Sequence, residues 1–237
     1  MNWKGKVAYI TGGSKGIGFG IASALVELGL KVAISGRNEK DVTMAVTALG
    51  KENSVLGIVS DVTSFNDEVA AVTTILNTWN SLDVVIANAG VGHFAPVDQL
   101  SITQWEQMIN TNLSGAFYTL KASVEALKKS EGYYMTIASL AGTNFFERGT
   151  GYNASKFGLV GFTQAAMLDL RSYGIKVTTI MPGSVATHFN NHTPTEADGW
   201  KIQPDDIGQL VADLLLMNPR TLPSKVEVRP TRPDLKR

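Results

Sequence analysis

Val7-Ala8-Tyr9-Ile10-Thr11-Gly12-Gly13-Ser14-Lys15-Gly16-Ile17-Gly18 decides the fold of this chain. A short apolar run stops at a cluster of glycines. A helical pattern then opens at Gly16 and closes at Gly29, with Ile17, Ile21, Ala24, Leu25 and Leu28 on one face. The glycines let the backbone turn tightly and come close to a bound group. The new helix offers free N–H groups and the positive end of its dipole, which together suit an anion. Glycines alone would give only a tight turn. With a strand before them and a helix after, they predict a dinucleotide pyrophosphate site contacted by Gly12, Ser14, Lys15, Gly16, Ile17 and Gly18.

The same alternation continues to the end of the chain. Strand-like runs at 32–34, 55–59, 84–86, 133–138, 177–180 and 226–228 alternate with helical patterns at 39–49, 65–79, 103–129, 152–173 and 204–217. The strands are continuously apolar, which predicts a parallel sheet covered on both faces. The expectation is one α/β domain spanning 1–237. It is a doubly wound Rossmann fold with a mostly parallel seven-stranded sheet and helices on both faces. Ligands in such sheets bind beyond the carboxyl ends of the strands, so the residues there are the candidates.

The bulk composition fits this reading. The chain has 237 residues, enough for one sizeable core, with 44% apolar and 18% charged residues. Acids and bases balance at 21 each, which gives no electrostatic reason to expect nucleic acid or an anionic membrane as partner. With no cysteine, disulfides and thiolate chemistry are excluded. The three histidines, His93, His188 and His192, form no close helical pair, and no metal is expected. The polar start at 1–6 runs straight into the first strand, and no stretch reaches transmembrane length, so a cytoplasmic protein is expected.

The end of the second strand chooses between nucleotides. An NAD site usually places an acid there to bond the ribose 2′-OH. Ser35-Gly36-Arg37 stands there instead. Arg37 and Lys15 would grip a 2′-phosphate, or else be plain surface cations, and the reading predicts NADP(H). After the third strand, Asp61 and Val62 are candidates for the adenine edge, although Asp61, Thr63 or Ser64 would equally cap the next helix. After the fourth, Asn88, Ala89 and Gly90 put small residues where a flat ring or ribose must pass. After the sixth come Pro182 and Gly183, with Val185 and Thr187 as further cofactor candidates.

Tyr152 and Lys156 lie four residues apart on one helix face, a spacing that chance supplies readily. Their company raises its weight. Ser139 ends the fifth strand, 13 residues earlier, and Asn112 lies in the long helix before it. Taken together, the Thr-Gly-x-x-x-Gly-x-Gly loop at 11–18, Asn-Ala-Gly at 88–90, Asn112, Ser139, Tyr-x-x-x-Lys at 152–156 and Pro-Gly at 182–183 resemble the short-chain dehydrogenase/reductase family, and within it the 3-oxoacyl-(acyl-carrier-protein) reductases. The resemblance covers 6 to about 187, in order. A nearby cation favours phenolate, so Lys156 is expected to lower the pKa of Tyr152. The resemblance further implies that Tyr152 exchanges a proton with substrate, Ser139 holds and polarises the carbonyl, Lys156 also bonds the nicotinamide ribose, and Asn112 keeps a water. The implied reaction is NADPH-dependent reduction of a ketone or aldehyde. Its alternatives are oxidation of a small secondary alcohol or polyol, or non-catalytic NADP sensing.

Two regions depart from the family. Its glycine-rich last strand is replaced by Pro223-Ser224-Lys225-Val226-Glu227-Val228-Arg229-Pro230 and a basic tail at 229–237. By resemblance, a homodimer through helices 103–129 and 152–173 is expected, or a homotetramer, which this replacement makes less secure. The substrate loop at 187–203 is short. His93, Asn144, Phe145 and His188 are the candidate substrate-pocket residues, in a mostly apolar setting with Val91, Phe94, Phe146, Phe189 and Trp200. The substrate expected is a small carbonyl or alcohol.

Overall fold

A computed structural model describes residues 3–50 and 53–232. The seven strands are β1 (Val7–Thr11), β2 (Lys31–Gly36), β3 (Val55–Val59), β4 (Val84–Ala87), β5 (Tyr133–Ile137), β6 (Lys176–Pro182) and β7 (Lys225–Val228). They form one sheet in the order β3-β2-β1-β4-β5-β6-β7, and every pairing is parallel. Seven helices fill the crossovers: α1 (Gly16–Glu27), α2 (Glu39–Leu49), α3 (Phe65–Trp79), α4 (Ile102–Ile109), α5 (Gly115–Ser130), α6 (Thr150–Leu170) and α7 (Pro204–Leu216). The order reverses between β1 and β4, so the ligand crevice opens beyond the carboxyl ends of those two strands. The last part of the tail, 233–237, lies outside the described residues.

The two faces of the sheet bury different residues of the same strand. Along β1, Ala8 and Ile10 join the cluster under α1, α2 and α7, while Val7 and Tyr9 join the one under α3, α5 and α6. Period-two alternation between two apolar layers explains why the strands read as unbroken apolar runs. That expectation is corrected at the margins. Edge strand β3 exposes Gly57 and Val59, and edge strand β7 exposes Lys225 and Glu227, because each has a neighbour on one side only.

Local signals set the helix ends. Asn38, Ser64 and Ser101 cap α2, α3 and α4 by accepting from the backbone N–H three residues on. The helix expected at 103–129 is in fact broken. Between α4 and α5 lies a π-helical turn, Asn110–Ser114, whose extra residue shifts the helical phase and turns Asn112 inward, where it is 1% exposed. Helix α1 tolerates interior glycines because its neighbours come so close. A Cβ at Gly18 would strike the Gly12 carbonyl. A Cβ at Gly20 would lie 2.5 Å from the Pro204 carbonyl oxygen, and one at Gly208 would lie 2.8 Å from Gly20 C. Helices α1 and α7 therefore touch backbone to backbone. Trp3 Nε1 adds a hydrogen bond to the Leu215 carbonyl, 2.7 Å long, at the far end of α7.

The carboxylate of Glu68 is buried within this apolar scaffold. Glu68, fully buried in the first turn of α3, accepts from Tyr9 Oη at 3.1 Å, Ser60 Oγ at 2.8 Å and Thr119 Oγ1 at 2.9 Å. Burial raises its pKa, and the three hydroxyls oppose the shift without reversing it. A raised folded-state pKa means that the unfolded chain ionises first as pH climbs. Glu68 then costs no stability below about pH 4, and its penalty grows as pH rises through the ordinary glutamate value of about 4.3 toward the folded one. Glu68→Gln removes this dependence. In thermal melts the variant should gain on the wild type as pH rises above about 4, and the gain should level off once Glu68 ionises in the folded state. A gap in melting temperature that stays constant with pH would contradict this.

Candidate active site

The carboxyl ends of β1 and β4 are stapled together. Thr11 Oγ1 accepts from the Asn88 and Ala89 N–H groups at 3.0 and 3.1 Å, and Asn88 Nδ2 donates to the Thr11 and Gly12 carbonyls at 2.9 and 3.1 Å. Asn88, expected as a cofactor contact, thus uses its side chain to shape the glycine loop. Gly12 and Gly16 have φ of +62° and +56°, a region that a residue with a side chain enters only under strain. Helix α1 has no side-chain cap at Lys15. Its first N–H groups are left for an outside acceptor, and Cβ-free glycines leave room above them. This cradle fits the pyrophosphate of a dinucleotide.

Around the cradle the other strand ends supply the rest. Ser14 lies over the end of β2, where a Cβ at Gly36 would stand 3.3 Å from its Oγ. Lys15 pairs with Asp41 at 2.8 Å. Arg37 is exposed and has no ion pair or side-chain hydrogen bond among the described residues. No acid stands between Ser35 and Asn38. Asp61 forms a local turn by accepting from the Thr63 N–H and hydroxyl, and Ser64 is the residue that caps α3. Val62 is buried against Gly115. Beyond β6, Gly183 N donates to the Val228 carbonyl, Val185 bridges to Ile202, and the Thr187 methyl group packs over Gly16. Thr187 thereby reaches the cradle from the far side.

The proton-transfer residues converge at the end of β5. Ser139 follows that strand, and its hydroxyl shares a hydrogen bond with Tyr152 while accepting from the Ala141 N–H at 3.1 Å. Lys156 is buried; its Nζ donates to the Ile137 carbonyl at 3.0 Å and lies 5.7 Å from the centre of the Tyr152 ring. Asn112 accepts from Val91 N at 2.8 Å and donates to Val91 O and Ser155 Oγ, both at 2.9 Å. Its side-chain amide braces the end of β4 against α6. Asn153, which the sequence reading passed over, donates to the Ala141 and Asn144 carbonyls at 2.7 and 2.8 Å and so fixes the loop after Ser139. Its signal was its place beside Tyr152 on the same helix turn.

The expected direction of the tyrosine shift is corrected. Desolvation pushes Tyr152 up to about 12, opposed only by the Ser139 hydrogen bond. Desolvation also pulls Lys156 down to about 8. Burial acts on both groups in the direction that disfavours the charged form. Tyr152 therefore keeps its proton at neutral pH.

The pocket also differs from expectation. Phe145 is 85% exposed and makes no ring contact among the described residues. Asn144 and His188 are exposed, and His93 Nε2 meets Gln107 Oε1 at 3.0 Å. The rings that surround Tyr152 are Phe94, at 5.3 Å between centroids, and Phe189, at 5.7 Å, with Phe146 against Phe94 at 5.8 Å. The loop 187–203 is built from two short 3-10 turns, Phe189–Asn191 and Glu196–Asp198. Buried Asp198 clips its far end, bonding His192 Nε2 at 2.7 Å, the Thr195 N–H at 2.9 Å, and Lys201. These bonds hold the Asp198 carboxyl well below the usual carboxylate range.

Comparison with known proteins agrees with this arrangement. The model of the short chain dehydrogenase family matches residues 6–198. An uncharacterized oxidoreductase of Staphylococcus aureus (strain MRSA252) is 34% identical over 227 residues, 95% of this chain and 97% of that protein. Among solved structures, a metagenomic short-chain oxidoreductase in complex with NADP superposes with a TM-score of 0.85 at 31% identity, covering 98% of this chain and 100% of that one. An alcohol dehydrogenase from the archaeon Thermococcus sibiricus, complexed with 5-hydroxy-NADP, gives 0.91 at 28%, covering 97% and 99%. A 3-ketoacyl-(acyl-carrier-protein) reductase from Brucella melitensis gives 0.89 at 23%, a likeness of fold alone.

Proposed function

The chain belongs to the short-chain dehydrogenase family of NAD(P)-binding oxidoreductases, and from that premise we propose that it is an NADPH-dependent reductase of ketones or aldehydes. The observation that carries the reading is the meeting of Ser139, Tyr152 and Lys156 at the end of β5, with Lys156 Nζ 5.7 Å from the centre of the Tyr152 ring. Tyr152 stands where it can serve as the general acid that reduction requires, with Ser139 beside it to hold the oxygen. Oxidation of a secondary alcohol or polyol would use the same residues but would start from the phenolate. A non-catalytic sensor is disfavoured because Ser139, Tyr152 and Lys156 are all present and brought together.

When bound, the cofactor supplies the hydride that reaches the carbonyl carbon. The protein's own work concerns the oxygen. Ser139 Oγ donates a hydrogen bond to it, and Tyr152 Oη gives it a proton as the C–O double bond becomes single. The Lys156 ammonium stands behind the ring and steadies the phenolate left after transfer. For the nucleotide we favour NADP(H): Arg37 makes no ion pair among the described residues, Ser14 lies over the end of β2, and no acid ends that strand. The two NADP-bound structures point the same way. Following NADPH oxidation at 340 nm over ketones, aldehydes and 3-oxoacyl thioesters tests the reading. Tight NADPH binding with no turnover on any of them would favour the sensor.

We further propose a homodimer through α5 and α6. Phe117 is 45% exposed, Leu168 60%, and Phe157 is also exposed, on helices that touch through Phe117 and Phe162. Apolar side chains of this size gathered on one face mark an interaction surface. Charged and exposed Lys225 and Glu227 disfavour a second contact along β7. Phe117→Asp should halve the mass seen by sedimentation velocity without changing the far-ultraviolet circular dichroism. A wild-type monomer, or an undisturbed variant dimer, would remove this interface.

A further inference from the structure

The rings around Tyr152 come from three separate loops, after β4, after β5 and after β6. Phe94 presents its edge to Tyr152 at 70° and also meets Phe189 at 6.5 Å. Their arrangement depends on a gap. Gly92 does not have a positive φ, so its backbone would suit any residue. Yet a Cβ there would lie 2.5 Å from Phe189 Cζ and 3.2 Å from Phe94 Cζ. Gly92 is thus the seat of Phe189, and it lacks a side chain for the sake of the rings. The polar groups that face the Tyr152 hydroxyl are few. Ser139 bonds it, and the Lys156 ammonium is turned to the Ile137 carbonyl. His93 is held by Gln107, while Glu147 and Arg148, beyond Phe146, are exposed.

We propose that Phe94 and Phe189, seated by Gly92, select a neutral ketone carrying a flat apolar group next to its carbonyl, an aryl alkyl ketone, over an anionic 3-oxo acid. The inference rests on the reductase reading and adds the substrate class to it. A planar group entering the cage exchanges water for ring edges and faces. A carboxylate entering it exchanges hydration for ring edges and faces, which carry no compensating charge.

The test compares kcat/KM for NADPH-dependent reduction of acetophenone, butan-2-one and acetoacetate. The expected order puts acetophenone about 10- to 100-fold above butan-2-one, the span that apolar contacts of this size provide, with acetoacetate lowest. Phe189→Ala and Phe94→Leu should each bring the acetophenone to butan-2-one ratio down by about tenfold, NADPH binding by fluorescence confirming that each variant is folded. Acetoacetate reduced as well as acetophenone by the wild type, or an unchanged ratio in both variants, would overturn the cage while leaving the reductase intact. No turnover with any carbonyl overturns the reductase reading and the cage with it.

Discussion

Tyr152→Phe lowers kcat for carbonyl reduction by about 10³-fold, within the range that a positioned general acid contributes, and leaves NADPH affinity within about threefold. The substitution is well isolated by its surroundings. The ring is held by Phe94 and Phe189 and keeps its place without the hydroxyl. Ser139 keeps its bond from Ala141 N, so the loop after β5 stays put. What disappears is the proton and the bond to Ser139. The loss therefore falls on kcat, since the interaction removed matters most as the oxygen gains charge. Single-turnover reduction and NADPH fluorescence titration measure the two quantities apart. Turnover near the wild-type level would remove Tyr152 from the mechanism.

Arg37→Ala raises the KM for NADPH about 10- to 100-fold, as expected for a charge-assisted bidentate contact, and leaves kcat/KM with NADH within about threefold. Arg37 is exposed at the end of β2 and makes no ion pair or side-chain hydrogen bond among the described residues, so none of those contacts is lost with it. Lys15 is the smaller contributor because Asp41 already occupies it at 2.8 Å. The ratio of kcat/KM between the two coenzymes reads this out directly. Undiminished NADPH use in the variant, or wild-type activity equal with both coenzymes, would show that no 2′-phosphate is gripped there.

Much of the architecture was legible because it rests on short-range periodicity. The ranges 39–49, 55–59 and 65–79 read from the sequence are those of α2, β3 and α3. Ser139, Tyr152 and Lys156 could be grouped because a parallel sheet sends its strand ends to one crevice. The π-helical turn was hidden, since one inserted residue barely alters an apolar period over the 29 residues from Ile102 to Ser130. Glu68 was hidden for another reason. An acid in the first turn of a helix ordinarily reads as favourable with the dipole, and only tertiary packing shows it under Tyr9, Ser60 and Thr119. The Phe94, Phe146 and Phe189 cage joins three loops remote in sequence, which no local pattern connects. The sign of the Tyr152 shift turned on burial, a quantity that residue spacing does not carry.

The backbone contact between α1 and α7 bears on how the chain is made. Trp3 and Leu215, joined by a hydrogen bond, are 212 residues apart. At about 5–20 residues per second, roughly 10 to 40 s of synthesis separate the first from the second. Throughout that interval the helix that carries the phosphate cradle lacks the partner for Gly20, and its apolar flank stays open. The nucleotide site is thus encoded first and finished last. The close backbone contact that shapes the cradle helix is therefore formed only once α7 has been made.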